Sequence, residues 1–124
     1  MKQSAHARPV LLVEDDKDIR TMLSLFLGQE GYRVLTAPSG DEALPILAAE
    51  PVLGVLLVDL TMPGMNVWEL RAAQLRFPQH ANVPMVLISG DSSLKEKAAS
   101  VGAQDYLEKP LELPKLLALI ARFC

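Results

Sequence analysis

The chain has 124 residues, of which 50% are hydrophobic and 22% charged, which predicts one globular domain with its own core and excludes a disordered chain. Its net charge of −3 excludes the basic footprint that is typical of direct nucleic-acid binding. Cys124 is the single cysteine, so neither an internal disulfide nor a zinc cluster is expected.

Five short, largely apolar runs are predicted to form the strands of a parallel sheet that is buried on both faces. In chain order they are residues 10–13, 32–35, 55–58, 83–88 and 105–107. A helical pattern follows each run, as a parallel crossover requires. This repeated β-α unit predicts a doubly wound α/β fold with five helices and the strand order 2-1-3-4-5. We expect residues 9–124 to form the domain and residues 1–8 to form a flexible segment.

The helices are predicted from apolar residues at helical spacing and from residues typical of helix ends. Ser39 with Glu42, and Ser93 with Glu96, have capping-box spacing and mark the starts of the second and fourth helices. Pro45 is expected to kink or shorten the second helix. The apolar faces of the first, third, fourth and fifth helices are Ile19, Met22, Leu23, Phe26 and Leu27; Val67, Leu70 and Leu75; Leu94, Ala98 and Val101; and Leu113, Leu116, Leu117 and Ile120.

Reactive polar residues follow four of the five predicted strands. They are Glu14 and Asp15 after the first strand, Asp59 after the third, Ser89 after the fourth and Lys109 after the fifth. Ligands of open parallel sheets bind just outside the carboxyl ends of the strands, so we expect these side chains to share one pocket. Clustered carboxylates repel one another unless a cation lies between them. Oxygen ligands with no nearby His or Cys favour Mg²⁺ over zinc.

Each of these residues has a simpler interpretation when it is considered alone. Acidic residues after a strand often cap the next helix, and most lysines and serines lie in water. Their joint placement instead favours phosphoryl chemistry, because a carboxylate can attack phosphorus and hold the group as an acyl phosphate. Asp59 would be that carboxylate, while Lys109 and the Ser89 hydroxyl would stabilise charge on the phosphoryl oxygens.

Five segments resemble the motifs of response-regulator receiver domains of two-component signalling, across nearly the whole chain. They are residues 11–16 (LLVEDD), 57–65 (LVDLTMPGM), 87–90 (LISG), 102–103 (GA) and 105–110 (DYLEKP). The resemblance implies a flavodoxin-like fold with Asp59 as the phosphoacceptor. It also implies Lys109 as the phosphate-binding lysine, Ser89 and Tyr106 as switch residues, and a cis peptide bond between Lys109 and Pro110.

The same resemblance implies Mg²⁺ as the cofactor. Asp15, Asp59 and the backbone carbonyl of Thr61 would be direct ligands, and Glu14 would bind mostly through water. Such a domain is not an enzyme with a separate substrate, although it promotes its own phosphotransfer and dephosphorylation. Thr61 and Asp91, each two residues beyond a site residue, are candidates for modulating the attack of water on the acyl phosphate.

The implied partners are a sensor histidine kinase or phosphotransfer protein and a downstream effector domain or protein. The face formed by the fourth helix, fifth strand and fifth helix would carry the output or a homodimer contact. The longest apolar run, residues 52–58, is far too short to span a membrane, so we expect a cytoplasmic protein without membrane partners.

Two other functions compete with this interpretation. A pseudo-receiver would bind partners without phosphorylation, and an aspartyl-phosphate phosphatase would need a second carboxylate where the chain has Thr61.

Several other polar and aromatic residues are expected to have no role in the site. His6 and His80 are predicted to be solvated loop histidines; Arg71, Arg76, Lys95 and Lys97 are predicted to lie on solvated helix faces, and Trp68 on a packed one.

Overall fold

Parallel strands and helices alternate along residues 8–124, the part of the chain that this computed structural model describes. His6 and nearly all of the predicted flexible segment 1–8 lie outside the described residues. The strands are β1 (Val10–Val13), β2 (Val34–Ala37), β3 (Val55–Asp59), β4 (Met85–Ser89) and β5 (Asp105–Glu108). The helices are α1 (Lys17–Gln29), α2 (Gly40–Ala49), α3 (Val67–Leu75), α4 (Leu94–Val101) and α5 (Leu113–Phe123).

The strand order is β2-β1-β3-β4-β5 with all pairs parallel, which confirms the predicted doubly wound fold with five strands and five helices. Two strands begin two residues later than predicted. Between α1 and β2 the chain turns at Gly31, whose positive φ of 93° is a conformation that glycine adopts easily, and the strand begins only after this turn. Before β4, Pro84 lacks the N–H that a central strand would donate, so pairing begins at Met85.

The central strands bury both of their faces, as their continuous apolar runs predicted. On one face, Leu56 and Leu87 belong to a cluster that includes buried residues of α2, α3 and α4. On the other, Leu57 and Ile88 belong to a cluster that includes buried residues of α1 and α5. This three-layer packing fixes the sheet and leaves only the ends of its strands to build a site.

Side chains that cap helices explain several of the observed helix boundaries. The Asp16 carboxylate accepts hydrogen bonds from the backbone N–H groups of Asp18 and Ile19 at the start of α1. The Ser39 hydroxyl accepts one from Glu42, which confirms the predicted start of α2. Pro45 does not end α2, which continues to Ala49. The helix therefore tolerates one missing backbone donor within its packed length.

The predicted capping box at the start of α4 is wrong. Ser93 directly precedes α4, but its hydroxyl donates to the Asp91 carboxylate at 2.7 Å and caps no backbone N–H in the described chain. Asp91 also pairs with Lys97, which the sequence placed on a solvated face, at 2.8 Å. A capping box does form at α3, where the side chains of Asn66 and Glu69 each accept a bond from the other's backbone N–H.

Replacing Asn66 by alanine is expected to destabilise the protein by about 1 kcal/mol, because the Glu69 N–H then loses its acceptor at the start of α3. Chemical denaturation of the parent and the variant measures this difference. Asn82→Ala, at an exposed loop position, is the matched control and should change stability by less than about 0.5 kcal/mol. Equal effects of the two substitutions would contradict a specific contribution of the cap.

Three further side-chain predictions are wrong. His80 is fully buried, and its Nε2 lies 2.9 Å from the Leu47 carbonyl because the segment between α3 and β4 packs against α2. Arg71 is only partly exposed and donates to the carbonyl of Gly102 at 3.1 Å, just beyond α4. Leu75, assigned to the packed face of α3, is 51% exposed at the last residue of that helix.

Candidate functional site

The parallel register brings the predicted site residues to one edge of the sheet. Asp59 is the last residue of β3 and Ser89 the last residue of β4. Glu14 and Asp15 follow β1, while Lys109 follows β5. Because neighbouring strands end nearly level, all of these side chains start from the same carboxyl edge.

Three carboxylates form the centre of the site. Glu14, Asp15 and Asp59 each offer an oxygen, and these oxygens lie within 4.8 Å of one another. Glu14 is fully buried and Asp59 is 3% exposed, whereas Asp15 is exposed at the rim. Lys109 Nζ lies 3.2 Å from Glu14 Oε1 and 3.3 Å from Asp59 Oδ2, so one ammonium group faces two buried carboxylates.

Burial, and after it the neighbouring Asp59 carboxylate, raise the pKa of Glu14 to about 7, although the Asp16 N–H and the charge of Lys109 act in the opposite direction. Glu14 Oε1 lies within ion-pair distance of Lys109 but accepts no hydrogen bond from any described residue. A buried, underpaired oxygen beside two more carboxylates is a donor set that fits a hard cation such as Mg²⁺.

Lys109 is held by its backbone as well as by its charge. Its N–H donates to the Ser89 carbonyl at 2.9 Å, and the Lys109–Pro110 peptide bond is cis, which confirms that implication of the resemblance. Burial lowers the pKa of the Lys109 ammonium, but the charges of Asp59 and Glu14 outweigh this effect and the net pKa is raised. The ammonium therefore stays protonated at neutral pH.

Backbone donors and one arginine orient the acidic residues. Asp59 Oδ1 accepts from the Thr61 N–H at 3.0 Å, and Glu14 Oε2 accepts from the Asp16 N–H at 3.1 Å. Arg20 Nη1 donates to the carbonyls of Glu14 at 2.8 Å and of Asp15 at 3.1 Å. The sequence analysis did not identify Arg20. Its position in the first turns of the helix that follows the acidic loop could have indicated a contact with that loop.

The two predicted switch residues lie on adjacent strands. Ser89 is 2% exposed, and its hydroxyl accepts a hydrogen bond from the Asp91 N–H at 2.9 Å. Tyr106 is partly buried on β5, where it pairs with Leu87 in the sheet and packs against the cluster that includes α3 and α4. The Ser89 hydroxyl is thus engaged with its own loop in this structure.

The fold and the site together define a flavodoxin-like α/β domain with a cationic side chain and three carboxylates at the carboxyl edge of its sheet. The chain belongs to the response regulator receiver domain family, whose sequence model matches residues 10–121. It is therefore a receiver domain of two-component response regulators, a class of signalling domain. Within residues 8–124, no helix combines the length and the apolar character needed to cross a membrane.

Individual relatives agree with this assignment. The response regulator protein FleR of Pseudomonas aeruginosa is 38% identical over 94% of this chain and 24% of its own length. A putative NtrX-like response regulator of Rickettsia bellii is 34% identical over 93% of this chain and 24% of its own length. The solved chemotaxis response regulator CheY4 of Vibrio cholerae has a TM-score of 0.84 at 32% identity and covers 94% of this chain and 98% of that one. The chain spans about a quarter of the length of the FleR and NtrX-like relatives.

Proposed function

We propose that Asp59 accepts a phosphoryl group from a phosphohistidine of a sensor histidine kinase or phosphotransfer protein. The observation that carries this proposal is the position of Lys109 Nζ, 3.3 Å from Asp59 Oδ2 within the cluster that Glu14 and Asp15 complete. A nucleophilic carboxylate, a cation for the phosphoryl oxygens and oxygen ligands for a metal are thereby present together. We place this exchange in the cytoplasm, as expected from the sequence.

The reacting oxygen follows from the contacts of Asp59. Its Oδ1 is held by the Thr61 N–H, whereas Oδ2 faces Lys109, so Oδ2 is the oxygen that we expect to attack. The new O–P bond forms as the P–N bond to the donor imidazole breaks, and the leaving imidazole nitrogen takes up a proton. Lys109 and the Ser89 hydroxyl then stabilise charge on the transferred oxygens.

Mg²⁺ is the cofactor that the acidic cluster fits, and when bound it would neutralise charge on the phosphoryl oxygens. Asp15, Asp59 and the Thr61 carbonyl are its proposed direct ligands, with Glu14 acting mostly through water. The cluster of oxygen donors and the orphaned Glu14 Oε1 support this assignment. In this proposal the domain promotes its own phosphotransfer and dephosphorylation without turning over a separate substrate.

The proposed output is a change in the surface formed by α4, β5 and α5. The phosphoryl group carries a charge of about −1.5 to −2, which replaces the single charge of the Asp59 carboxylate, and it would attract the Ser89 hydroxyl inward. Tyr106 would then move on the neighbouring strand and alter that surface. An effector domain or protein, or a second copy of the chain, would respond to the change. Only a free-energy difference between two arrangements, typically about 1 to 3 kcal/mol, can drive such a switch.

Intact-mass measurement after treatment with acetyl phosphate tests the proposal. The parent should gain one phosphoryl group when Mg²⁺ is present and much less when it is chelated. Asp59→Asn should gain none, while Asp18→Asn, an exposed acidic residue on α1, should behave as the parent. A folded parent that stays unmodified in all conditions would overturn the proposal and favour a pseudo-receiver that binds partners without phosphorylation.

A further inference from the structure

The loop between β4 and α4 contains a continuous chain of contacts that starts at a proposed phosphoryl-binding residue. The Asp91 N–H donates to the Ser89 hydroxyl at 2.9 Å. The Asp91 carboxylate in turn accepts hydrogen bonds from Ser93, at 2.8 Å from its N–H and at 2.7 Å from its hydroxyl. The other carboxylate oxygen of Asp91 lies 2.8 Å from Lys97 Nζ, on the second turn of α4. Asp91 therefore connects Ser89 both to the residue that precedes α4 and to a residue within that helix.

These contacts replace the ordinary arrangement at a helix start. Ser93 has the sequence position of an N-cap, but its hydroxyl points to Asp91, and its φ and ψ of −94° and 16° differ from the extended conformation of a capping residue. Lys97 and then Ser93 lower the pKa of the Asp91 carboxyl, so this group is ionised at neutral pH. The start of α4 is thus held by Asp91 and not by a cap of its own.

We propose that Asp91 is a positioning residue that couples the Ser89 hydroxyl to α4, and that its contacts with Ser93 and Lys97 hold the start of α4 in the unphosphorylated arrangement. This inference rests on the proposed function. When the Ser89 hydroxyl donates to a phosphoryl oxygen, it can still accept from the Asp91 N–H, so movement of Ser89 pulls on Asp91. The contact between Asp91 and Lys97 then breaks, and the start of α4 is released from its resting position.

The orientation of the Asp91 carboxylate distinguishes this role from the one predicted from sequence. Both carboxylate oxygens are engaged by residues of the loop and of α4, which supports a role in transmission more than a role in directing water at Asp59. Because the ion pair with Lys97 is partly exposed, its removal should shift the balance between two arrangements only modestly, by about 1.5- to 5-fold.

The chain provides its own reporter of α4. Trp68 is the single tryptophan, lies on α3 and is 40% exposed. Its indole Nε1 donates to the Ser100 hydroxyl of α4 at 3.1 Å. A displacement of α4 relative to α3 would change this contact, and the fluorescence of one residue can therefore follow the helix without an added label.

The test is the binding of beryllofluoride, a mimic of a phosphoryl group on a carboxylate, in the presence of Mg²⁺. Calorimetry gives the affinity and Trp68 fluorescence follows α4. Lys97→Gln should bind the mimic about 1.5- to 5-fold more tightly than the parent, because it loses a contact of the resting arrangement. Asp91→Asn should also bind the mimic more tightly than the parent. The affinity of the double variant should be only slightly higher than that of either single variant, because both substitutions remove the same contact.

Lys95→Gln is the matched control, because it removes the same charge from an exposed position of the same helix. If Lys97→Gln and Lys95→Gln bind the mimic equally, the proposed coupling is overturned. Acetyl phosphate labelling of the same samples separates the two proposals. A parent that is phosphorylated on Asp59 while Lys97→Gln matches its control refutes only the coupling, whereas a folded parent that is never labelled refutes the proposed function.

Discussion

Lys109→Met is expected to slow phosphoryl uptake by Asp59 at least about 100-fold, the usual cost of removing a group that stabilises transition-state charge. The Lys109 ammonium group lies 3.3 Å from the Asp59 carboxylate. Methionine preserves most of the apolar length of the lysine side chain but lacks its charge. Time-resolved intact-mass measurement with acetyl phosphate and saturating Mg²⁺ gives the rate for parent and variant. The rate should fall while Asp59 remains the modified residue.

The control for this experiment is Lys115→Met, which removes an ammonium group whose side chain is 73% exposed on α5. Its rate should stay within about twofold of the parent rate, because an exposed charge interacts weakly through water. A Lys109→Met variant that is folded and as fast as Lys115→Met would show that Lys109 does not contribute to the transfer. Circular dichroism of both variants establishes that they are folded.

Without metal, the contribution of Glu14 to stability is expected to decrease as the pH rises from about 4.5 to about 7. Burial raises the pKa of Glu14 to about 7 in the folded protein, while the unfolded chain releases this proton near its ordinary value of 4.5. Between these values the unfolded state binds fewer protons than the native state, so the free energy of unfolding falls. The contribution is complete below pH 4.5 and is lost by about pH 7, a change in the free energy of unfolding of about 3 kcal/mol.

Comparison with Glu14→Gln isolates this effect from the other titrating groups. Glutamine has nearly the same shape and no charge, so the variant should lack the decrease and should exceed the parent in stability at pH 8 when EDTA is present. Urea denaturation at pH 4.5, 6 and 8 provides the measurement. Asp18→Asn, at an exposed position, should leave the pH profile of the parent unchanged. Parallel profiles for the parent and Glu14→Gln would contradict a raised pKa for Glu14.

Addition of Mg²⁺ should oppose the loss of stability at neutral pH, because a ligand that binds only the folded state stabilises it. The increase should be larger for the parent than for Glu14→Gln if Glu14 contributes to the site. This comparison connects the pH profile with the proposed cofactor, and it does not depend on phosphorylation.

Much of the fold was predictable from local patterns. Continuous apolar runs indicated strands buried on both faces, and the helical patterns between them required parallel crossovers. The polar residues that directly follow β1 or end β3 and β4 then had to meet, because parallel strands share their carboxyl edge. Among the predictions of the fold, those of element boundaries were the least accurate, as at Pro84 and Gly31, where one residue removes a donor or changes the backbone conformation.

The contacts of individual side chains were less predictable. Ser93 and Asn66 have similar sequence contexts, yet only Asn66 caps its helix, since Asp91 competes for the Ser93 hydroxyl. His80 looked like a loop residue, but a carbonyl of α2, far away in sequence, provides its buried partner. Such outcomes depend on which distant element packs nearby, and periodicity does not encode this information.

The sequence by itself determined the order of strands and helices, the edge at which the acidic residues collect and the family to which the chain belongs. Only the tertiary structure decided that Glu14 is buried while the adjacent Asp15 is exposed, and that Lys109 faces both Glu14 and Asp59. The physical reason is that burial and charge pairing arise from the packing of three separate strands. The pKa of a carboxyl group depends on that environment, whereas strand formation depends mainly on local pattern.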